Sequence, residues 1–241
     1  ASRRPFAFIM CAMTNEHEPR AFFGRRKGHP LRAHQASLYE TLLPKLALAL
    51  SAATPASLRG LFPMPVNNVR LEIGFGGAEH LIAQAQANPD TGFIGCEPFV
   101  NGMAKALAAI EHHSLHNIRL FAGDATHLIA WLPAASLSRI DILYPDPWPK
   151  RRQWKRRFVQ DDSLAALARI LKPGGELRFA TDIPGYASWV LARVLRSPHY
   201  EWSAQCADDW RRPWPDFAGT RYEAKAKREN RTPAYFSFRR M

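Results

Sequence analysis

The sequence predicts a doubly wound α/β fold, in which helices cover both faces of a mostly parallel sheet. From residue 69 onward, short apolar segments alternate with segments whose apolar residues recur at helical spacing. Strands separated by helices of this length form parallel units joined by right-handed crossovers. The chain has 241 residues, 46% hydrophobic and 22% charged, which is enough to bury a sizeable core. Such sheets bind ligands beyond the carboxyl ends of their strands, so a site is expected there.

The predicted elements follow one another in a regular order. Strands are expected at VRLEIG, FIGCE, IRLFAG, RIDILY and ELRFATD. Helices are expected between or after them, at AEHLIAQAQA, VNGMAKALAAIEHH, FVQDDSLAALARIL and YASWVLARVL. Two aromatic-rich runs near the end, YEWSAQ and PAYFSFRR, are predicted to pair as strands. Residues 34–241 are therefore expected to form one domain around the sheet.

The chain ahead of this domain has a different character. Residues 1–33 are predicted to be a flexible basic arm, because most of the segment is polar, basic and interrupted by Gly and Pro. Residues 1–12 are interpreted as an extension ahead of Met13, since their apolar run is too short for a secretory signal and no small-residue cleavage site follows. The next segment, HQASLYETLLPKLALALSAA, has helical spacing, with Pro44 at a kink or a second start.

The cysteines and apolar runs restrict the class of protein further. Cys11, Cys96 and Cys206 are scattered and form no CxxC pair, which argues against a disulfide framework or a zinc site and fits a reducing cytosol. No apolar run approaches the ~18 residues that a membrane-spanning helix needs. A cytoplasmic protein with no metal and no membrane partner is expected.

A strand, a glycine-rich turn and a helix, LEIGFGGAEH, form the first candidate ligand site. Gly74 and Gly76 let the backbone turn tightly and approach a ligand where a side chain would collide. A dinucleotide fingerprint would have a third glycine at the position of Glu79. By itself the turn is a weak signal, and it favours a nucleoside over a pyrophosphate.

Three acids are expected to surround this turn. Glu97 ends the second strand, where a carboxylate can accept hydrogen bonds from both hydroxyls of a ribose. Asp124 follows the third strand and could face an adenine edge. Glu72 lies in the first strand, where a buried acid is costly unless it holds a cation. Because no lysine accompanies them, the acids favour a cationic ligand, although each could instead cap a helix or lie in solvent.

The run LYPDPWPKRRQWKRR places Asp146 between two prolines and ahead of six basic residues. Pro145 and Pro147 stiffen the loop and remove competing backbone donors. Since Asp146 follows a strand at the ligand-binding edge, it is a candidate active-site acid, and the alternative is an ordinary turn aspartate. Trp148 could stack on a base or pack beneath the loop.

The chain carries a formal net charge of +12, which marks a polyanionic partner, nucleic acid before others. The basic residues after Asp146 and in the arm are expected to hold phosphates of a folded RNA so that one base is presented to the pocket. The alternative is a solvated basic face without a partner. The predicted phosphate contacts are Arg25, Arg26, Lys27, Arg151, Arg152, Lys155, Arg156 and Arg157.

Together these motifs resemble class I S-adenosylmethionine-dependent methyltransferases, and more narrowly the tRNA (guanine-N7)-methyltransferases. The resemblance covers nearly the whole chain and rests on LEIGFGGAEH, GCEPF, GDA, YPDPWPK with KRR, LKPGGELRFATD and TRYE. The segment FGRRKGHPLR also looks like the basic arm of that family. The resemblance implies a Rossmann-like sheet of seven strands with the last strand antiparallel, S-adenosylmethionine as cofactor, tRNA as partner, and 7-methylguanosine in the variable loop as product.

The resemblance also implies roles for individual residues. The cofactor would be held by Glu72, Gly74, Gly76, Glu97, Asp124 and Asp146. The substrate base and its surroundings would be contacted by Lys150, Asp182, Thr220, Arg221, Tyr222 and Glu223. Asp146 would lie at both ligands as the active-site acid. The chain departs from the family pattern at Ala78, where many members have glycine, and at Gln153, where a histidine is common.

Several of these roles have alternatives. Asp182 stands between a strand and a helix, a position typical of a helix cap. Thr220 and Glu223 have the spacing of a capping box, while Glu223 could instead accept hydrogen bonds from the Watson–Crick edge of guanine. An NAD-dependent oxidoreductase and a non-catalytic RNA-binding module remain as other functional classes. Whether the protein is a monomer or a homodimer, which tRNAs it accepts and whether the base is flipped stay open.

Overall fold

The computed structural model describes Gly24 and residues 26–241, and a single seven-stranded sheet forms its centre. The strands are β1 (Asn68–Ile73), β2 (Thr91–Cys96), β3 (Ile118–Phe121), β4 (Leu137–Leu143), β5 (Leu171–Thr181), β6 (Tyr200–Trp202) and β7 (Ala234–Arg240). Their order across the sheet is β3-β2-β1-β4-β5-β7-β6. β1 to β5 pair in parallel, and β7 is antiparallel to both of its neighbours. The predicted mostly parallel sheet with an antiparallel last strand is confirmed.

Helices connect the strands in the predicted alternation. They are α1 (Ala33–Thr41), α2 (Leu43–Leu46), α3 (Glu79–Ala87), α4 (Val100–His112), α5 (Ala125–Trp131), α6 (Asp161–Ile170), α7 (Pro184–Val194), α8 (Asp208–Arg211) and α9 (Arg221–Arg228). Pro44 lies in the first turn of α2 and starts a second helix, because a proline there loses no intrahelical hydrogen bond. In the described part of the chain no helix combines the length and the hydrophobicity needed to cross a membrane.

The hydrophobic core lies on both faces of the sheet. Apolar residues of α5, α6 and α7, among them Leu128 and Leu167, pack into one cluster with the strands. Residues of α1, α3 and α4, among them Met103, pack into a second. Adjacent residues of β2, Phe93 and Ile94, belong to different clusters, as the alternation of side chains along a strand requires. The fold is therefore doubly wound, as predicted.

The centre of the sheet contains a topological switch point. From the neighbouring strands β1 and β4 the sheet continues to β2 on one side and to β5 on the other. The register pairs Ile73 with Cys96 and with Ile142, so these strands end at one edge. β1 runs into the glycine turn, and β4 runs into the loop that carries Asp146. The two candidate sites thus lie on opposite sides of one crevice, where sheets of this kind bind ligands.

The end of the expected arm is held against α4. The Val100 N–H donates to the Arg26 carbonyl at 2.9 Å. The Asn101 side chain accepts a hydrogen bond from the Gly28 N–H at 2.7 Å. This part of the arm therefore has a defined place beside the start of α4, whereas the proposed extension, residues 1–12, lies outside the described residues.

Candidate active site

The glycine turn after β1 has a left-handed backbone at three positions. Gly74 and Gly76 have φ values of 73° and 56°, which only glycine adopts without cost. Ala78 also has a positive φ, 65°, and its methyl group is buried. A left-handed alanine costs about 1 kcal/mol relative to glycine. The turn thus keeps a left-handed residue at position 78 even though alanine stands there.

Glu97 ties this turn to the end of β2. Its Oε2 accepts a hydrogen bond from the Gly76 N–H at 2.7 Å, and its Oε1 accepts one from the Phe99 N–H at 2.9 Å. Burial raises the pKa of Glu97, the two N–H donors oppose this rise, and the charges of Asp146 and Glu72 add to it. Each carboxylate oxygen keeps a second acceptor lone pair for a ligand hydroxyl.

Glu72 lies behind the turn and has a partner that the sequence analysis missed. Its Oε2 is 2.9 Å from Nδ1 of His80, and both side chains are buried. Burial by itself would lower the pKa of His80, but the charge and hydrogen bond of Glu72 outweigh it and raise the pKa. Burial also raises the pKa of Glu72, and the protein supplies this buried carboxyl with a hydrogen-bonding partner. A direct contact of Glu72 with the cofactor stays a prediction.

Asp124 starts α5 as a helix cap. Its Oδ1 accepts hydrogen bonds from the backbone N–H and the hydroxyl of Thr126, both at 2.9 Å. One oxygen of Asp124 therefore acts as the helix cap that was considered as an alternative for this acid. Oδ2 makes no hydrogen bond with any residue that the structure describes, so it can still accept one from a ligand.

Asp146 lies on an exposed loop and has no hydrogen bond or ion pair with any of the described residues. Tyr144 and Trp148, two positions before and after it, have φ values of 51° and 41°, a strained conformation for non-glycine residues. Such strain clusters at functional sites. Partial burial at the crevice raises the pKa of Asp146 above its ordinary value. This carboxylate keeps all of its acceptor capacity for a ligand.

Two residues of the TRYE segment pack on the glycine turn. A Cβ atom at Gly76 would lie 2.9 Å from a ring carbon of Tyr222, and the Arg221 guanidinium covers Gly77. Arg221 also forms an ion pair with Glu79, the residue that replaces the third glycine of a dinucleotide fingerprint. The segment is thus brought to the crevice by α9.

The hydroxyl of Tyr222 has a raised pKa. Burial raises this pKa, and the negative charges of Glu97 and Asp146 raise it further. The Tyr222 ring also covers Gly76. Four predicted site residues, Gly76, Glu97, Asp146 and Tyr222, therefore lie near one another at the crevice.

The expected capping box of α9 is only half formed. The Thr220 hydroxyl accepts a hydrogen bond from the Glu223 N–H at 3.1 Å, so Thr220 is the cap. The Glu223 carboxylate does not return the bond. It is buried, accepts a hydrogen bond from the Tyr235 hydroxyl at 2.6 Å and lies 2.6 Å from Nζ of Lys227. Its contact with guanine stays a prediction.

The alternative role of Asp182 as a helix cap is wrong. The N-cap of α7 is Ile183, whose N–H donates a hydrogen bond to the Thr181 hydroxyl at 3.2 Å. The Asp182 carboxylate instead lies 2.5 Å from Nε of Arg231, far along the chain. No local signal in the sequence indicates this pairing, and the substrate contact of Asp182 stays a prediction.

The basic run after Asp146 forms a 3-10 helix, Arg151–Arg156, beside the crevice. The Arg156 guanidinium lies 5.1 Å from the centre of the Trp148 ring. Of the predicted phosphate contacts, Arg156 is half-buried, and Arg26, Lys27, Arg151, Arg152 and Lys155 are exposed. Lys150, a predicted substrate contact, is also exposed. Arg25, another predicted phosphate contact, lies outside the described residues.

Arg157 is a correction to the predicted set of phosphate contacts. Only 3% of its surface is exposed. Its Nε donates to the Pro147 carbonyl at 2.9 Å and its Nη1 to the Gly185 carbonyl at 3.2 Å. A guanidinium with these partners is turned into the protein and away from any RNA on the surface.

Comparison with known proteins defines the class. A family model described as "Putative methyltransferase" matches residues 66–235, from the approach to β1 into β7. The solved 16S rRNA methyltransferase KamB superimposes with a TM-score of 0.55 at 17% identity, covering 73% of this chain and 88% of that one. TrmN from Thermus thermophilus superimposes with a TM-score of 0.51 at 16% identity, covering 76% of this chain and 46% of that one. These two structures share the fold, and the protein is a methyltransferase.

Sequence relatives narrow the class to one family. A "tRNA (guanine-N(7)-)-methyltransferase" of Rhodopseudomonas palustris is 62% identical over 225 residues, covering 93% of this chain and 85% of its own. A relative of the same name from Bradyrhizobium diazoefficiens is 60% identical over 221 residues, covering 92% and 94%. The chain belongs to the tRNA (guanine-N7)-methyltransferase family, as the motifs indicated.

Proposed function

We propose that this protein transfers a methyl group from S-adenosylmethionine to N7 of a guanine in the variable loop of tRNA, giving 7-methylguanosine. The observation that carries the proposal is the position of Asp146, without a partner among the described residues, across the crevice from the glycine turn. The names of the relatives support the substrate, and the family resemblance supports the variable loop. A cytoplasmic location follows from that substrate and the pattern of cysteines.

The residues of the crevice fit S-adenosylmethionine. No atom of residues 24 or 26–241 lies within 4 Å of the place where a Cβ atom of Gly74 would stand, so among these residues the turn offers bare backbone to a ligand. Glu97 would accept hydrogen bonds from ribose hydroxyls, and Asp124 would accept one from the adenine through Oδ2. The charges of Glu97 and Asp146 suit the cationic groups of the cofactor. When bound, the cofactor supplies a methyl group activated by a positive sulfur. No metal is needed for this chemistry.

Asp146 would orient the guanine and stabilise charge. Guanine N7 has a lone pair in the neutral base, so no residue has to remove a proton before the reaction. The carboxylate can accept hydrogen bonds from guanine N1–H and the exocyclic amine, which adenine does not offer in that arrangement. The purine gains positive charge during the reaction, and a nearby carboxylate stabilises it. Placement of the reacting atoms can contribute about 7–11 kcal/mol in well-oriented cases.

The exposed basic residues would hold the tRNA by its phosphates. Arg151, Arg152 and Lys155 lie within a few residues of Asp146 on the same segment. Their contacts would position the RNA and make its affinity depend on salt. Lys150 would lie nearest to the base, between Asp146 and this group.

The test is a nucleoside analysis of the reaction product. The protein is incubated with labelled S-adenosylmethionine and unmodified tRNA, and the digested RNA is separated into nucleosides. We expect label in 7-methylguanosine, and none when 7-deazaguanosine, which has no N7 nucleophile, replaces the variable-loop guanosine. Cofactor binding without any 7-methylguanosine would reject the proposal.

A further inference from the structure

Arg157 differs from its neighbours in the basic run. Arg151, Arg152 and Lys155 are exposed on the 3-10 helix, whereas the Arg157 side chain points into the protein and is 3% exposed. Arginine is almost never fully buried unless its donors are satisfied. The buried guanidinium therefore has a specific task that its exposed neighbours do not share.

The guanidinium joins the Asp146 loop to the start of α7. Its Nε donates to the carbonyl of Pro147, the residue that follows Asp146, at 2.9 Å. Its Nη1 donates to the carbonyl of Gly185, in the first turn of α7, at 3.2 Å. One rigid, planar group thus fixes the distance between two segments that are far apart in the sequence.

Aromatic rings enclose this guanidinium. The centres of the Trp154, Tyr186 and Trp189 rings lie 5.1, 5.0 and 4.9 Å from its central carbon. Cation–π contacts of this kind hold the group in one orientation and become stronger away from water. Tyr186 is fully buried, so the enclosure rests on the core.

The loop needs such an anchor because its own backbone is strained. Tyr144 and Trp148 both have positive φ values, and strained conformations persist only where the surroundings hold them. Without the Arg157 donor, the Pro147 carbonyl would lose its hydrogen bond and Asp146 could shift with it. A displacement of about 1 Å can cost about 100-fold in rate, even when the substituted residue is far from the chemistry.

We propose that Arg157 is a positioning residue, which holds Asp146 in its productive place through the Pro147 carbonyl and does not contact tRNA. This inference rests on the proposed function. It assigns to one arginine of the basic run a role in the rate of the reaction, and leaves affinity for RNA to its exposed neighbours.

The experiment compares Arg157→Ala and Arg157→Lys with Arg152→Ala, the matched loss of an exposed arginine. For each variant, kcat and KM for tRNA are measured, together with tRNA affinity over a range of salt concentrations. We expect Arg157→Ala to lower kcat roughly 10- to 100-fold with an unchanged salt slope. Arg152→Ala should keep kcat, raise KM and reduce the salt slope by about 1.

The lysine variant separates the two roles of the side chain. It keeps the charge but lacks the planar fork, so it should restore little of the lost kcat if Arg157 acts through two carbonyls. Recovery of full activity by lysine, or a reduced salt slope with unchanged kcat in Arg157→Ala, would make Arg157 an RNA contact and overturn the inference.

Two controls keep the outcomes distinct. Thermal unfolding and S-adenosylmethionine binding are measured for every variant. If Arg157→Ala does not fold, the folded Arg157→Lys variant must still show the loss of kcat, and full kcat in it would contradict the inference. Wild-type protein that forms no 7-methylguanosine would instead reject the proposed function, and that result is obtained before any variant is compared.

Discussion

The two sides of the crevice hold their acids in opposite ways. On the glycine-turn side, Glu97 is buried and receives backbone hydrogen bonds from Gly76 and Phe99 at 2.7 and 2.9 Å. On the loop side, Asp146 is exposed and is not bonded to any described residue. The pKa of Glu97 is raised by burial and by neighbouring charges, whereas that of Asp146 is raised by partial burial.

This difference indicates that the two carboxylates have different tasks, one in shaping the pocket and the other in the reaction. A carboxylate whose oxygens are bonded to the backbone fixes the form of the pocket, because moving it breaks those bonds. A carboxylate with its acceptors unused gains most when a ligand brings donors to it. We therefore expect the glycine-turn side to be the preformed half of the proposed site, and the loop side to be the half that the substrate completes.

The largest expected effect follows from removing the charge of Asp146. Asp146→Asn should lower kcat/KM for tRNA about 100- to 1000-fold, because an amide carries no negative charge and has one acceptor oxygen where the carboxylate has two. Steady-state kinetics measures this, with thermal unfolding to show that the fold is kept. Glu40→Gln removes one exposed carboxylate from α1 as a control and should leave the kinetics unchanged. Equal kinetics for both variants would contradict the assignment.

The same side chain predicts a dependence of the rate on pH. The carboxylate acts in its ionised form, so kcat/KM should fall as the pH drops through the pKa of Asp146. Because partial burial raises this pKa, the fall should begin above the range of an ordinary aspartate. A pH profile measures it, and the corresponding limb should be absent in Asp146→Asn. A limb that persists in the variant would belong to another group.

A smaller effect is expected on the glycine-turn side. Glu97→Gln keeps the shape but replaces one acceptor oxygen by an NH₂ group, which cannot accept the bond from Gly76 or Phe99. Affinity for S-adenosylmethionine should fall about 10- to 100-fold, corresponding to about 1.4–2.8 kcal/mol. Calorimetry measures it. An unchanged affinity would show that Glu97 does not shape the pocket.

The smallest effect is expected away from the crevice, on the stability of the segment that leads to α9. Asp216 lies 2.8 Å from Arg139 and 2.6 Å from Arg178. Burial would raise its pKa, but these arginines lower it to about 2. Because its side chain is 41% exposed, Asp216→Asn should cost only about 1 kcal/mol of unfolding free energy at neutral pH.

The pH dependence of that loss gives its control. The stabilisation by Asp216 is complete above its unfolded pKa near 3.8 and is lost as the pH falls towards 2. Denaturant unfolding of wild type and Asp216→Asn should therefore give curves that converge between these values. A constant difference down to pH 2 would show that the charge is not responsible.

The parts of the structure that local sequence determines were predictable. The alternation of strands and helices, the glycine turn and the positions of Glu97 and Asp146 at strand ends follow from short motifs and the rules of parallel sheets. Ala78 does not belong to this group, because alanine in place of glycine left the shape of the turn open until the structure showed a left-handed residue there.

The parts that depend on side-chain direction were not predictable. Arg157 looks like its basic neighbours in the sequence, and only the carbonyls and rings around it show that it is buried. The position of Asp182 between a strand and a helix suggested a cap as an alternative to substrate contact, and its actual partner, Arg231, lies 49 positions away. Glu223 likewise accepts a hydrogen bond from Tyr235 of β7, and its carboxylate does not return the bond to the cap residue Thr220. Such pairings are set by tertiary packing, which spacing along the chain does not encode.

The most direct measurement is a coupling cycle between Asp146 and the exocyclic amine of guanine. Wild type and Asp146→Asn are each assayed at saturating cofactor on tRNA with guanosine or inosine at the target position, since inosine keeps N7 and lacks the amine. If the carboxylate grips that amine, inosine should slow wild type about tenfold and the variant hardly at all, a coupling of about 1.4 kcal/mol. The same penalty in both proteins would mean that Asp146 does not hold the base.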